Sequence, residues 1–418
     1  MPLFDVVIVG GGPAGSTAAE KLSEKGFKVL VVEKERHPRR KVCGGALSLR
    51  AVRKFRIPLE KAVEVRNVFF WGPGEVRLTV PSDEPVGYLM RREDLDSILF
   101  RRASDAGAQV RECETVKSVL VDQSGVTVIT TSGKYKGRAV IGADGFSSRV
   151  RDSLGLTPRD WYRGSAFCPV CYFPLPEGGE RSADTEFYLG IFGEGYAWIF
   201  RHADHLNIGI GTFLRNYSSH PADDLLKFLR ENYDASKRIP RLPERSEIVG
   251  AYIPYDGAVP KTYANRALLV GDAAGFVSTL TGEGVYFAML SAEIAADVLK
   301  RALEEDDLSE ERLAEYQKRW LEEPELGEML SYGKLLRDLL FKDQRLLSSI
   351  LRAAAGDEKL AGLLRDVVFG LIGYREATRE LAKRVPLRVA LDMLLLAPRE
   401  VLRLASGSAS PFFGGKGR

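Results

Sequence analysis

The sequence predicts an α/β fold in which a Rossmann-like domain is interleaved with an antiparallel β-sheet domain and followed by a C-terminal helical region. Three observations predict it. A glycine-rich strand–turn–helix unit opens the chain at 4–34. Alternating, aromatic-bearing segments recur from 65 to 80 and from 164 to 254. A stretch from about 309 to 403 has helical apolar spacing interrupted by Pro324, Pro386 and Pro398. The expected division is 1–66, 91–160 and 262–305 for the first domain, and 67–90 and 161–261 for the second. The helical region is then 306–405, with a flexible tail at 406–418.

Val6 to Val9 is a continuous apolar run, as in a strand buried on both faces. Gly10, Gly12 and Gly15 follow in the spacing G-x-G-x-x-G. Gly10 allows the tight turn, Gly12 lets a pyrophosphate approach the backbone, and Gly15 lets the next helix lie close to the strand. That helix, expected from Pro13 to Lys25, aims its amides and positive dipole end at phosphate, and Gly26 stops it. Val29 to Val32 is a second strand. Glu33 ends it where a carboxylate holds ribose hydroxyls. A lone G-x-G-x-x-G is weak evidence, but here strand, helix and acid all surround it. The unit is Rossmann-like, and Glu33 would repel a 2′-phosphate, which leaves FAD or NAD.

The chain of 418 residues is long enough for a large core, and its net charge of +3 gives no argument for nucleic acid. No apolar run reaches membrane-spanning length, and Met1-Pro2-Leu3 leads straight into the first strand without a signal-peptide pattern. These features predict a cytoplasmic protein, or one peripheral on the cytoplasmic membrane face. Four cysteines (Cys43, Cys113, Cys168, Cys171) do not make a disulfide framework. Cys168-Pro169-Val170-Cys171 has no second pair to complete a zinc site, so no metal is expected, and the two read as small apolar residues in a strand.

After Glu33, Lys34, Arg36, Arg39, Arg40 and Lys41 form a basic stretch that faces phosphate or solvent, with solvent favoured for most of it. Cys43-Gly44-Gly45-Ala46 suggests backbone passing close to a flat ligand; an ordinary turn is the alternative. Residues 65–80 read as a hairpin turning at Gly72-Pro73-Gly74, and Arg92 stands just before a helix expected from Glu93 to Ala106. Strands are expected at 110–116, 117–122, 126–131 and 134–137. A further apolar strand then runs into Asp144-Gly145, and Ser148-Arg149 opens a helix. Tyr196, Trp198 and Phe200 alternate and so share one face of a strand, either as core or as the wall of a ligand cavity. A helix is expected at 222–232 and a strand at 248–254. Ala267 to Val270 then runs into Gly271-Asp272, and Thr281-Gly282-Glu283-Gly284-Val285 opens a helix reaching Leu303. Asp272 suits a ribityl or ribose hydroxyl, and the amides of Gly284 and Val285 suit an anionic flavin ring. Pro386 to Leu404 is amphipathic with basic edges, and packing on the body is favoured over lying on a membrane.

Taken in order, Gly10–Gly15 with Glu33, Ala143-Asp144-Gly145 with Arg149, and Gly271-Asp272 resemble the FAD-binding pattern of the p-hydroxybenzoate hydroxylase superfamily. Within it the chain resembles the geranylgeranyl reductases. The resemblance is carried by Lys41-Val42-Cys43-Gly44-Gly45, Tyr196-Ala197-Trp198-Ile199-Phe200, Gly271-Asp272-Ala273-Ala274-Gly275 and Leu280-Thr281-Gly282-Glu283-Gly284. Arg201 stands where that family has proline after the aromatic strip, and Ser278-Thr279 where it has Asn-Pro.

The resemblance implies FAD, and reduction of isoprenoid C=C bonds by hydride transfer from the reduced flavin. It places Gly10, Gly12, Ala14, Gly15, Glu33, Lys34, Cys43, Gly44, Ala46, Arg92, Val116, Asp144, Asp272, Gly284 and Val285 at the cofactor. Tyr196, Trp198 and Phe200 would line a prenyl channel, and Cys43 would sit near the reacting bond as proton donor or positioning group. The implied partners are a prenyl lipid and an electron donor, NAD(P)H or ferredoxin, because no second G-x-G-x-x-G marks a nicotinamide domain. The same fold hosts monooxygenases and halogenases, although Trp198 stands without the second tryptophan of a halogenase Trp-x-Trp. An electron-transfer flavoprotein lacks support, because the cysteines have no cluster spacing.

Overall fold

The computed structural model describes residues 3–175 and 182–406. The expected flexible tail, apart from Ser406, lies outside them.

Two sheets organise the chain. The first has eight strands. Its parallel centre runs Ala267–Leu269, Lys134–Gly142, Leu3–Val9, Val29–Val32 and Gln109–Arg111. Val6, Val7 and Ile8 are fully buried, as in a strand covered on both faces. Helix Pro13–Glu24 lies between the sheet and helix Val285–Glu304, which buries fifteen of its twenty residues.

Three details differ from expectation. The segments read as separate strands at 134–137 and 139–142 are one strand, Lys134–Gly142. Its first half pairs with the hairpin strand Gly125–Thr130 and its second half enters the parallel centre, so one strand does both jobs. The run 110–116 divides at Cys113, where φ is +59°, into Gln109–Arg111 and a new strand Val116–Asp122. Arg92 is the first residue of its helix, Arg92–Asp105, rather than the residue before it.

The second sheet has nine strands. Its order is Val249–Ile253, Ala166–Pro174, His205–Phe213, Gly195–Arg201, Ser182–Leu189, Val63–Gly72, Gly87–Leu89 and Ala46–Ser48, with Val76–Val80 beside Val63–Gly72. It is antiparallel except at one joint, where Ser182–Leu189 runs parallel to Val63–Gly72. That joint unites two sequence segments more than a hundred residues apart, so no hairpin dictates its direction.

Cys168 and Cys171 lie three apart on Ala166–Pro174 and therefore face opposite sides of the sheet. Cys171 is buried in a core with Phe173, Tyr188 and Phe228, while Cys168 lines a cavity. Burial pushes both thiols up to about 12.

After Glu304 the described chain is helical. Pro324 and Pro398 open helices, as expected. Further breaks fall at Asp343 and Asp357, whose carboxylates cap Gln344–Ala355 and Glu358–Val368. Among the described residues, no helix is long and apolar enough to cross a membrane.

Candidate cofactor and substrate site

One cavity of about 540 Å³ runs between the C-terminal ends of the parallel strands and one face of the second sheet. Every residue singled out for cofactor or substrate lines it, except Gly15. Gly15 lies behind the loop: a Cβ there would stand 1.8 Å from the Gly10 carbonyl oxygen. Gly10 has φ +101°, and a Cβ on it would meet the Ala143 carbonyl oxygen at 2.4 Å.

Two helices begin at this cavity. Pro13–Glu24 starts after Gly12 and Val285–Glu304 after Gly284, and neither has a side-chain cap. Some other helices do, as Ser148, Ser309 and Asp343 show, while others, such as Arg92–Asp105, do not. The first-turn amides and positive dipole ends of both helices are therefore left facing the cavity, which suits a diphosphate and an anionic ring. Ala14 and Val285 lie in those first turns. The Asp272 carboxylate stands beside the second one, with Oδ1 3.5 Å from where a Gly284 Cβ would be.

Glu33 is buried, and its carboxylate accepts from Gly11 N (2.7 Å) and Glu35 N (3.0 Å). Lys34 is exposed, and it lines the cavity together with Val116. Asp144 Oδ2 accepts from Arg149 N (2.6 Å) and Val150 N (3.2 Å), while Oδ1 is buried with no protein partner. Burial raises its pKa against the pull of the Ser148 hydroxyl and of those amides. A buried, unpartnered acceptor on a cavity wall fits a ligand hydroxyl.

Asp96 was not anticipated. It is fully buried and carries two guanidinium groups, Arg92 at 2.8 and 2.9 Å and Arg39 at 3.1 Å. Burial alone would lower the Arg92 pKa; Asp96 outweighs it and holds the pKa above the usual arginine range. Arg39, one of a basic stretch for which the sequence leaves phosphate or solvent open, is 12% exposed and reaches to 3.3 Å from the place of a Gly12 Cβ. The i, i+4 spacing of Arg92 and Asp96 was the available signal.

The Cys43-Gly44-Gly45 loop presses on the aromatic strip. A Cβ on Gly44 would meet the Phe200 ring at 3.0 Å. Asn207 Nδ2 donates to the Cys43 carbonyl (2.7 Å), and Trp198 Nε1 donates to Asn207 Oδ1 (2.9 Å). His202 Nε2 donates to the Gly44 carbonyl (2.9 Å), which places its proton on that nitrogen. Gly45 N donates to Cys43 Sγ (3.4 Å), and Ala46 starts the strand that follows. Asn207 and His202 were also missed; the one signal was a polar residue inside the apolar run 206–210. Tyr196, Trp198 and Phe200 share the cavity face, with neighbouring ring centroids 6.0 and 6.1 Å apart. Phe187, Phe369 and Cys168 complete this apolar end.

The loop before helix Val285–Glu304 is fastened from outside. Glu283 pairs with Arg50 and accepts from Ser48 Oγ (2.5 Å). Ser278 Oγ and Tyr374 Oη share a hydrogen bond of 2.7 Å, which ties the helical region to the same loop.

Burial holds His202 at about 4, below its usual 6.5. The unfolded chain takes up this proton first, so stability falls as pH drops from about 6.5 to about 4, by about 3 kcal/mol in total. Urea denaturation at about pH 7 and about pH 5 should show about 2 kcal/mol of this loss, and His202→Gln should remove most of it. An equal loss in both proteins would refute the assignment.

The uncapped helix starts, the orphaned Asp144 oxygen and the glycine approach all fit FAD. Residues 4–167 match the FAD-binding domain family. Fold and site thus define an FAD-dependent oxidoreductase. Digeranylgeranylglycerophospholipid reductase 2 of Methanopyrus kandleri is 32% identical over 349 residues, covering 79% of this chain and 85% of that protein. The corresponding reductase of Methanocaldococcus jannaschii is 32% identical, covering 81% and 88%. The chain belongs to the geranylgeranyl reductase family. A geranylgeranyl bacteriochlorophyll reductase-like protein of Thermoplasma acidophilum shares the fold with a TM-score of 0.69 at 24% identity, covering 97% of this chain and 99% of that one.

Proposed function

We propose that this chain saturates C=C bonds of geranylgeranyl chains carried on a lipid. The observation that carries the reading is that a single cavity joins the uncapped helix starts to an apolar end walled by Tyr196, Trp198, Phe200, Phe187 and Phe369, with Cys43 between them.

In this reading the first sheet carries the cofactor. Glu33 takes the adenosine ribose, and the amides after Gly12, with Arg39 and Arg92 held by Asp96, take the diphosphate. Asp144 and Asp272 accept from hydroxyls of the ribityl side, and the start of helix Val285–Glu304 faces the ring. The second sheet walls the lipid chain. Bound and reduced, FAD supplies a hydride equivalent to one alkene carbon. An isolated alkene offers no oxygen to polarise, so the chamber acts by alignment and by excluding water. Cys43 Sγ holds the proton that the other carbon takes up; Asn207 fixes the Cys43 carbonyl and His202 that of Gly44. The electron donor we infer is NAD(P)H or ferredoxin.

The test is anaerobic. Dithionite-reduced protein is mixed with geranylgeranyl lipid, and flavin reoxidation is followed together with product mass. Reoxidation with two hydrogens gained per bond supports the reading. Reoxidation only with oxygen and a phenolic acceptor would replace it with a monooxygenase. Cys43→Ala should slow single-turnover reduction about a hundredfold at unchanged FAD content; full-rate reduction by that variant would remove Cys43 from the proton step.

A further inference from the structure

Helix Leu387–Leu396 and the start of Pro398–Ser406 bury only one face. Val389, Met393 and Ala397 pack inward, at 6%, 5% and 0% exposure. On the other side Leu387, Leu391, Leu394, Leu395 and Leu402 are 78%, 50%, 50%, 77% and 68% exposed. The three most exposed large apolar side chains among the described residues are all in this group. Leu387, Leu391 and Leu394 follow i, i+4, i+7 spacing, so they form one stripe.

Charge says what covers it. Arg388 and Arg399 are exposed beside the leucines and have no acidic partner among the described residues. The nearby acids are already engaged: Asp392 accepts from Ser349 Oγ (3.1 Å), and Glu400 lies 3.7 Å from Lys342. A second copy of this face would bring arginine against arginine. Residues 407–418 carry Lys416 and Arg418 and no acid, so they do not complement it either. Leucines flanked by unpaired guanidinium groups match acyl chains beneath anionic headgroups. The helix, ten residues long, lies in the plane of such a surface and does not cross it.

We propose that this face docks the protein on an anionic lipid bilayer. The inference stands apart from the substrate reading, since it concerns a surface outside the cavity. The test is flotation of the full-length, FAD-loaded protein with vesicles of phosphatidylcholine alone and of equal parts phosphatidylcholine and phosphatidylglycerol. The protein should float with the anionic vesicles. Leu387→Ser/Leu391→Ser/Leu395→Ser should lower partitioning about tenfold or more with the flavin spectrum unchanged. Arg388→Gln and Arg399→Gln should each lower it about fivefold and erase the preference for anionic lipid. The proposal is overturned if the wild type does not float, or if the triple variant floats equally well. It is also overturned if light scattering shows a dimer that the triple variant dissolves, or if removing 407–418 creates binding that the whole chain lacks.

Discussion

Gly15→Ala is expected to yield a protein without bound FAD. The new methyl carbon would stand 1.8 Å from the Gly10 carbonyl oxygen and 3.2 Å from Ala143 Cβ. The clash is with backbone, so no rotamer relieves it; helix Pro13–Glu24 must move away from the loop. Overpacking of this kind costs about 3 kcal/mol, and the shift also displaces the amides after Gly12. Flavin absorbance per protein, with a urea titration, measures both effects. Gly26→Ala is the control. Gly26 has φ +84° with nothing within 4 Å of an added Cβ, so this variant should lose about 1 kcal/mol and stay yellow. Wild-type flavin content in Gly15→Ala would show that the close approach of helix and loop is not needed for the cofactor.

Asp96→Asn should be the most costly single-atom change in the site. Asp96 is fully buried, and both guanidinium groups it holds are nearly so. The variant leaves Arg92 without its paired carboxylate and Arg39 with only Glu33, at 3.8 Å, a loss of about 3 kcal/mol. Denaturation of the FAD-stripped protein isolates that term. Added FAD should then recover more stability in the variant than in the wild type, because a diphosphate supplies the missing negative charge. Equal stabilisation by FAD in the two proteins would argue that Arg92 and Arg39 do not face the diphosphate.

The sequence made the parallel centre and the glycine loop legible because their rules are local. An apolar run such as Val6–Val9 and a turn that excludes Cβ atoms can be read within about thirty residues. Tyr196, Trp198 and Phe200 were legible for the same reason, since alternation alone puts them on one face. Asp96, Arg39, Asn207 and His202 were not. Asp96 meets Arg39 across 57 positions of chain, and Asn207 meets Cys43 across 164. Their meaning exists only after the two sheets close on the cavity. The single parallel joint in the second sheet was hidden likewise, because it depends on which distant strands become neighbours. The basic-edged segment from Pro386 was read as packing or membrane-facing. The structure gives it a buried face and leaves its leucine face open.

The fastening of Ser278 to Tyr374 sets an order of events during synthesis. The glycine loop, the Cys43 loop and the residues around Asp272 leave the ribosome long before Tyr374 and the cavity-lining Phe369. A nascent chain that has reached residue 305 holds both helix starts, yet its cavity lacks one wall and its flavin-side loop lacks an anchor. Domains generally fold as units as they emerge, but this cavity is closed only by its last quarter of chain. Secure retention of FAD is therefore expected late in the life of each molecule, and a chain that stalls before helix Tyr374–Arg384 should release its cofactor.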